Sequence, residues 1–128
     1  MIDFKKEMET VNQELRKFEN EIKGTPGVFI GKKSLHDFAI YISGYAQCLA
    51  KPIYEKIRER RENGEEIGYG DFNKTFQKFI EKYYDLNENE HLLSTHWSEI
   101  IRFFTPSDEA AFDEYFRLME EYEKTIKE

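Results

Sequence analysis

The sequence predicts an all-α fold, a single domain of five to six helices over residues 1–128. Three observations carry that expectation. Apolar residues recur at spacings of three and four along almost every segment, the repeat of one helical face. No segment sustains the period-two alternation of a half-buried strand, and β-branched residues are sparse. Clusters of Gly, Pro and Asn, each followed by a Ser, Thr or Asp suited to capping, divide the chain into helix-sized pieces.

Residues 1–23 carry Phe4, Met8, Val11, Leu15, Phe18 and Ile22 at spacings of 4, 3, 4, 3 and 4, an a/d stripe on one face of an amphipathic helix. That stripe either packs on the chain's own core or pairs with a second copy as a short coiled coil. Gly24-Thr25-Pro26-Gly27 stops the helix, and Val28-Phe29-Ile30 reads as a loop that anchors its side chains in the core. Ser34 with Asp37 forms a capping-box arrangement for a central helix over 34–62, whose stripe is Leu35, Phe38, Ile42, Tyr45 and Leu49. Ala39, Gly44 and Ala46 are small enough to admit a neighbouring helix. Pro52 breaks or kinks this helix, and Asn63-Gly64 ends it.

Three further helices follow. Asp71 caps one over 71–84, with Phe72, Phe76, Phe79 and Tyr83 on its stripe, broken by Asn87-Glu88-Asn89-Glu90. The next, over 91–104, carries Leu93, Trp97, Ile100, Ile101 and Phe104. Thr105 as cap and Pro106 in the first turn restart the chain for a last helix over 106–127, with Phe112, Tyr115, Phe116, Met119, Tyr122 and Ile126.

The composition is polar, with 39% hydrophobic and 35% charged residues, yet 16% are aromatic. Large rings bury much area per residue, so a core forms with few aliphatics. The opening residues become charged at once and predict no signal peptide, and no run approaches a membrane span, so the expected compartment is the cytoplasm. Cys48, the one cysteine, closes no internal disulfide and is expected to be a small buried hydrophobe on the central helix.

Charge is unevenly placed. Through Asn87 fifteen acidic and fifteen basic residues cancel; beyond it eleven acidic residues meet four basic ones, so the whole net charge of −7 lies in the last third. That argues against nucleic acid as a partner, since phosphate contacts need a basic footprint. It suits a basic protein, or a merely solvated surface.

No catalytic set stands out. His91 and His96 lie five apart, on poorly matched helix faces; His96 and Glu99 share a face, but no further inward carboxylates join them, so neither a metal nor another cofactor is expected. His96 reads as a surface or cap histidine. Lys32 and Lys33 flank the start of the central helix and could hold an anion there, but the glycine spacing around them is not that of a phosphate loop. Acid pairs such as Glu65-Glu66 are typical of solvated faces. On the last helix Asp108, Glu109, Asp113, Glu114, Glu120, Glu121 and Glu123 lie opposite the aromatic stripe. The first six are candidates for charge complementarity with a protein partner, with Trp97 and Tyr115 (and Tyr122 at the same edge) supplying contact area.

Thr25-Pro26-Gly27-Val28-Phe29-Ile30-Gly31-Lys32-Lys33-Ser34-Leu35, followed by Phe38, Ile42 and Gly44-Tyr45, resembles a pattern in small uncharacterised bacterial proteins, in which an Arg-Pro-Gly-Met-Tyr-(Ile/Leu)-Gly turn leads into a helix. Phe76 to Tyr83, His96 to Ile101, and Ala111-Phe112-Asp113 with Tyr115-Phe116 resemble later segments of the same group, so the likeness spans roughly 25–122. This chain departs with Thr25 in place of Arg and Val28-Phe29 in place of Met-Tyr. The resemblance implies an immunity protein of a polymorphic toxin system, one that occludes a cognate toxin. Together with the charge and hydropathy, the expectation is a non-enzymatic monomer or weak homodimer that binds neither nucleic acid nor a membrane. The alternative is a self-associating adaptor using the N-terminal stripe.

Overall fold

The computed structural model describes residues 2–68, 74–86, 92 and 95–127. The fold is all-α, with six helices among the described residues: α1 (Lys5–Gly24), α2 (Pro26–Phe29), α3 (Leu35–Glu62), α4 (Phe76–Tyr83), α5 (Trp97–Phe103) and α6 (Asp108–Ile126). Two short strands, β1 (Ile2–Asp3) and β2 (Ile67–Gly68), pair in parallel with Ile2 opposite Ile67. The chain divides into two compact units, one of Met1–Thr25 with Ile40–Gly70 and one of Pro26–Ala39 with Asp71–Glu128.

In the first unit the a/d stripe of α1 faces inward. Leu15 and Ile22 are buried, and Phe4 joins Ile53 and Ile57 of α3 in a cluster against which Met8, Val11 and Ile67 pack. Burying each such side chain contributes about 1.5–3 kcal/mol. Much of the stripe read as a possible coiled-coil seam is thus already covered by its own chain. Asp3 accepts the Lys5 N–H at 2.8 Å and supplies the helix start that Phe4 cannot cap.

The sequence does not signal Glu19, which is 2% exposed one position off the stripe. It is ion-paired with Arg16 one turn earlier, which keeps its carboxylate from being buried without a partner.

α3 runs continuously through Pro52, so no new helix starts there. Pro52 lies on the exposed side, where water can satisfy the carbonyl left without a backbone donor. Cys48 lies on that side too, and is exposed rather than buried. Gly44 is exposed, and a Cβ added there would meet nothing within 4 Å, so it marks no close helix approach. The helix ends as its sequence suggests: Gly64, at φ +80°, donates to Arg61 O at 2.9 Å and Glu65 donates to Arg60 O at 3.1 Å. Those paired bonds, with glycine in the left-handed region, are a Schellman stop.

The second unit has a core of rings. Phe38, fully buried in the first turns of α3, meets Phe112 edge-on at 5.6 Å, Tyr115 at 5.1 Å and Phe116 at 5.4 Å. Helices α4, α5 and α6 pack on one another, with Ile80, Ile100, Ile101 and Leu118 completely buried.

Pro26 begins α2, where its missing N–H is no loss, so the expected loop is a helical turn. Val28 is 79% exposed and anchors nothing, while Phe29 and Ile30 are half-buried.

Helix starts move as well. Asp71, Phe72, Asn87–Glu90, His91 and Leu93 lie outside the described residues. α4 is capped by Thr75, which accepts from Lys78 N–H at 3.3 Å, and α6 by Ser107, which accepts from Ala110 N–H at 3.0 Å. Thr105 instead donates its hydroxyl back to Ile101 O at 3.0 Å, closing α5, and leaves Pro106 in the connecting turn.

Candidate functional site

The acidic face of α6 is the site the sequence singles out, and its carboxylates prove unequal. Asp108 is internal machinery. One of its oxygens accepts from the Ser34 hydroxyl and the other from the His36 backbone N–H at 3.1 Å, while Ser34 in turn accepts from the Asp37 N–H at 3.1 Å. The N-terminus of α3 therefore does hold an anion, as its position suggested, but the anion is Asp108 of the same chain. Partial burial works to raise the Asp108 pKa. Hydrogen bonds from Ser34, His36 and Leu35, with the positive field of Arg102, outweigh that and hold it below the ordinary carboxylate value.

Glu114 is also engaged: its carboxylate accepts from Arg117 Nε at 2.6 Å, and Arg117 donates onward to the Tyr83 hydroxyl at 2.8 Å. Asp113 is exposed and pairs with Lys33 at 2.7 Å, and Glu121 pairs with Lys124 at 3.5 Å. Such solvent-screened pairs contribute at most about 1 kcal/mol and exchange readily for a partner's cations. Glu109 and Glu120 are exposed. Four of the six carboxylates, Glu109, Asp113, Glu120 and Glu121, thus point to solvent, and Asp108 and Glu114 work inside the unit.

The two aromatic candidates fare differently. Tyr115 is 1% exposed, enclosed by Phe38, Phe76, Trp97 and Phe116, and offers no area to a partner. The triplet-and-quartet spacing that drew attention to it is the core stripe itself. Trp97 is half-buried, stacked on Tyr115 at 4.8 Å and edge-on to Phe76 at 5.4 Å, and its N–H donates to Gln77 Oε1 at 2.8 Å through the backbone. Gln77 also donates to Thr95 O at 2.7 Å, so one amide holds the segment entering α5. Tyr122 is half-buried, with its hydroxyl donating to Lys74 O at 2.5 Å.

His96 is a helix cap. Its Nδ1 accepts from Ser98 N–H at 3.2 Å and lies 2.7 Å from the Ser98 hydroxyl. Burial depresses its pKa, against a smaller opposing pull from Glu99. No group of three or more His, Cys, Asp or Glu side chains among the described residues is placed to hold a metal ion.

A surface feature escaped the sequence reading. Tyr83, Tyr84, Phe104 and Phe103 form a continuous run of rings at the C-terminal ends of α4 and α5. Tyr83 meets Tyr84 edge-on at 4.8 Å, Tyr84 stacks on Phe104 at 4.5 Å with 5° between planes, and Phe104 meets Phe103 at 5.0 Å. Phe103 is 57% exposed, Tyr83 48% and Phe104 40%. The Tyr84 hydroxyl is pushed up to about 12, first by burial and then by the neighbouring Glu114 charge.

Adjacent rings on a helix lie roughly 100° apart, so each doublet signalled a ring off the stripe. Tyr83 and Phe104, which spacing placed on the core stripes, are themselves exposed. An exposed run of rings beside an Arg–carboxylate pair has the composition of a protein-binding hot spot.

Among the described residues no helix is long and apolar enough to cross a membrane. No protein-family model, curated protein or solved structure matches the chain.

Proposed function

We propose that this protein is a stoichiometric binding protein of the immunity type, which neutralises a toxin with a basic, nuclease-like active site by covering that site, and that it acts in the cytoplasm without catalysing a reaction. The observation that carries this reading is the pairing of an exposed ring run, Tyr83-Tyr84-Phe104-Phe103, with outward carboxylates in the same unit. Rings supply area at low conformational cost, and carboxylates steer a basic partner and match its phosphate-binding groups. The contact residues of this reading are Glu109, Asp113, Glu120 and Glu121 with Phe103, Phe104 and Tyr83.

The self-associating adaptor has less support, because the stripe it needs already packs on Ile53 and Ile57.

Titration calorimetry against the purified product of the adjacent reading frame tests the proposal, with rescue of growth on co-expression as the biological readout. The expected result is one-to-one binding that weakens steeply with salt, and loss of rescue in Phe103→Ala with Phe104→Ala. Binding that ignores both the salt and the rings would contradict it.

A further inference from the structure

Against a net charge of −7, one groove in the second unit is lined by lysines. Its volume is about 510 Å³, within the usual range for small-molecule sites of roughly 300–1,000 Å³. Lys74, Lys78 and Lys82 form one wall; Phe79, Tyr83 and Tyr122 supply its rings. No carboxylate is among the described residues lining it.

The lysines recur every fourth residue along α4 and the turn before it, so they share a face about 6 Å apart. Lys74 and Lys82 are exposed, and neither has an ion pair among the described residues; Lys78 lies 3.4 Å from Glu81. Tyr122 fixes the far wall, its hydroxyl bonded to Lys74 O and its ring 5.6 Å from Phe79. Phe79 and Tyr83 follow at 6.2 Å.

We propose that this groove binds a nucleoside phosphate, with the phosphates on the lysine row and the base against the Phe79-Tyr83-Tyr122 rings. Lys74 and Lys82, with Lys78 beside Glu81 between them, match a multiple negative charge, and the rings match a planar group; base stacking on such rings adds affinity without demanding one particular base. An acidic peptide would use the lysines and leave the rings idle. The groove shares Tyr83 with the ring run, but the inference rests on the lysine row and not on toxin binding.

Titration calorimetry with adenosine diphosphate, adenosine and inorganic pyrophosphate separates the two halves of the site. The diphosphate is expected to saturate one site per chain, with adenosine and pyrophosphate each roughly tenfold weaker or more. Lys74→Ala with Lys82→Ala, both at exposed positions, should keep the wild-type circular dichroism and the weak adenosine affinity while losing roughly tenfold for the diphosphate. Tyr83→Leu should do the reverse, weakening adenosine and sparing pyrophosphate.

No saturation at millimolar diphosphate overturns the proposal. So does pyrophosphate binding as tightly as the diphosphate, which marks a plain anion patch. A hexaglutamate peptide or an oligonucleotide binding more tightly than the diphosphate also overturns it.

Discussion

The two units are built from different materials. The first has eleven acidic and ten basic residues and gathers Phe4, Ile53 and Ile57 with Met8, Val11 and Ile67. The second has fifteen acidic and nine basic residues and closes on Phe38, Phe112, Tyr115 and Phe116. Rings bury enough area that few positions must be apolar, which leaves the exterior free to carry charge. The unit with the ring core is also the unit with the negative surface. Polar composition and a tight core are compatible when the apolar positions are large.

Substitutions in the two cores give the largest expected contrast. Phe38→Ala should lower stability by about 3–5 kcal/mol in urea unfolding, and the equal truncation Phe4→Ala in the first unit by no more than the low end of that range. Equal losses would remove the distinction between the cores.

A smaller effect separates two carboxylates of α6. Asp108→Ala removes the acceptor for Ser34 and the α3 N-terminus and should destabilise by about 1–2 kcal/mol. Asp113→Ala breaks only an exposed pair with Lys33 and should cost no more than about 1 kcal/mol. If the two behave alike, the division between internal and outward acids fails.

His96 sharpens the picture through pH. Its folded-state pKa lies below the ordinary 6.5, so the unfolded chain takes up the proton first. Its contribution is therefore complete above about 6.5 and is lost as pH falls through the lower folded value. His96→Asn retains a capping acceptor without a titrating ring, and should flatten this part of the stability profile. An unchanged profile would assign the slope to other groups. Cys48 gives the smallest effect: it should react with a thiol reagent in the native state at a rate close to that of the unfolded chain.

Much of this was legible in the sequence. The helical repeat, the Gly64 stop, the Ser34 cap and the inward stripes of α1 and α6 all follow from local spacing. What was not legible depends on pairs distant in the chain. The Asp108–Ser34 bond joins positions separated by 74, so Asp108 looked like any acid at a helix start. Tyr115 is different: its spacing already put it on the buried stripe of α6, and the expectation of an edge aromatic ran against that. The ring run needed two doublets from different helices to meet, and the lysine groove needed α6 beside α4. Cys48 was misread because it lies on a face of α3 that the apolar stripe does not reach.

On the proposed function, the surface that meets the partner is the second unit's negative exterior. Calorimetry with the cognate partner decides it, comparing Glu109→Lys, Asp113→Lys, Glu120→Lys and Glu121→Lys combined in one variant with Glu7→Lys, Glu9→Lys, Glu55→Lys and Glu59→Lys combined in another. The change in net charge is the same, so the expected result is loss of roughly a hundredfold in affinity for the first set and only a few-fold for the second. Equal losses, or the larger loss from the first unit, would contradict the account.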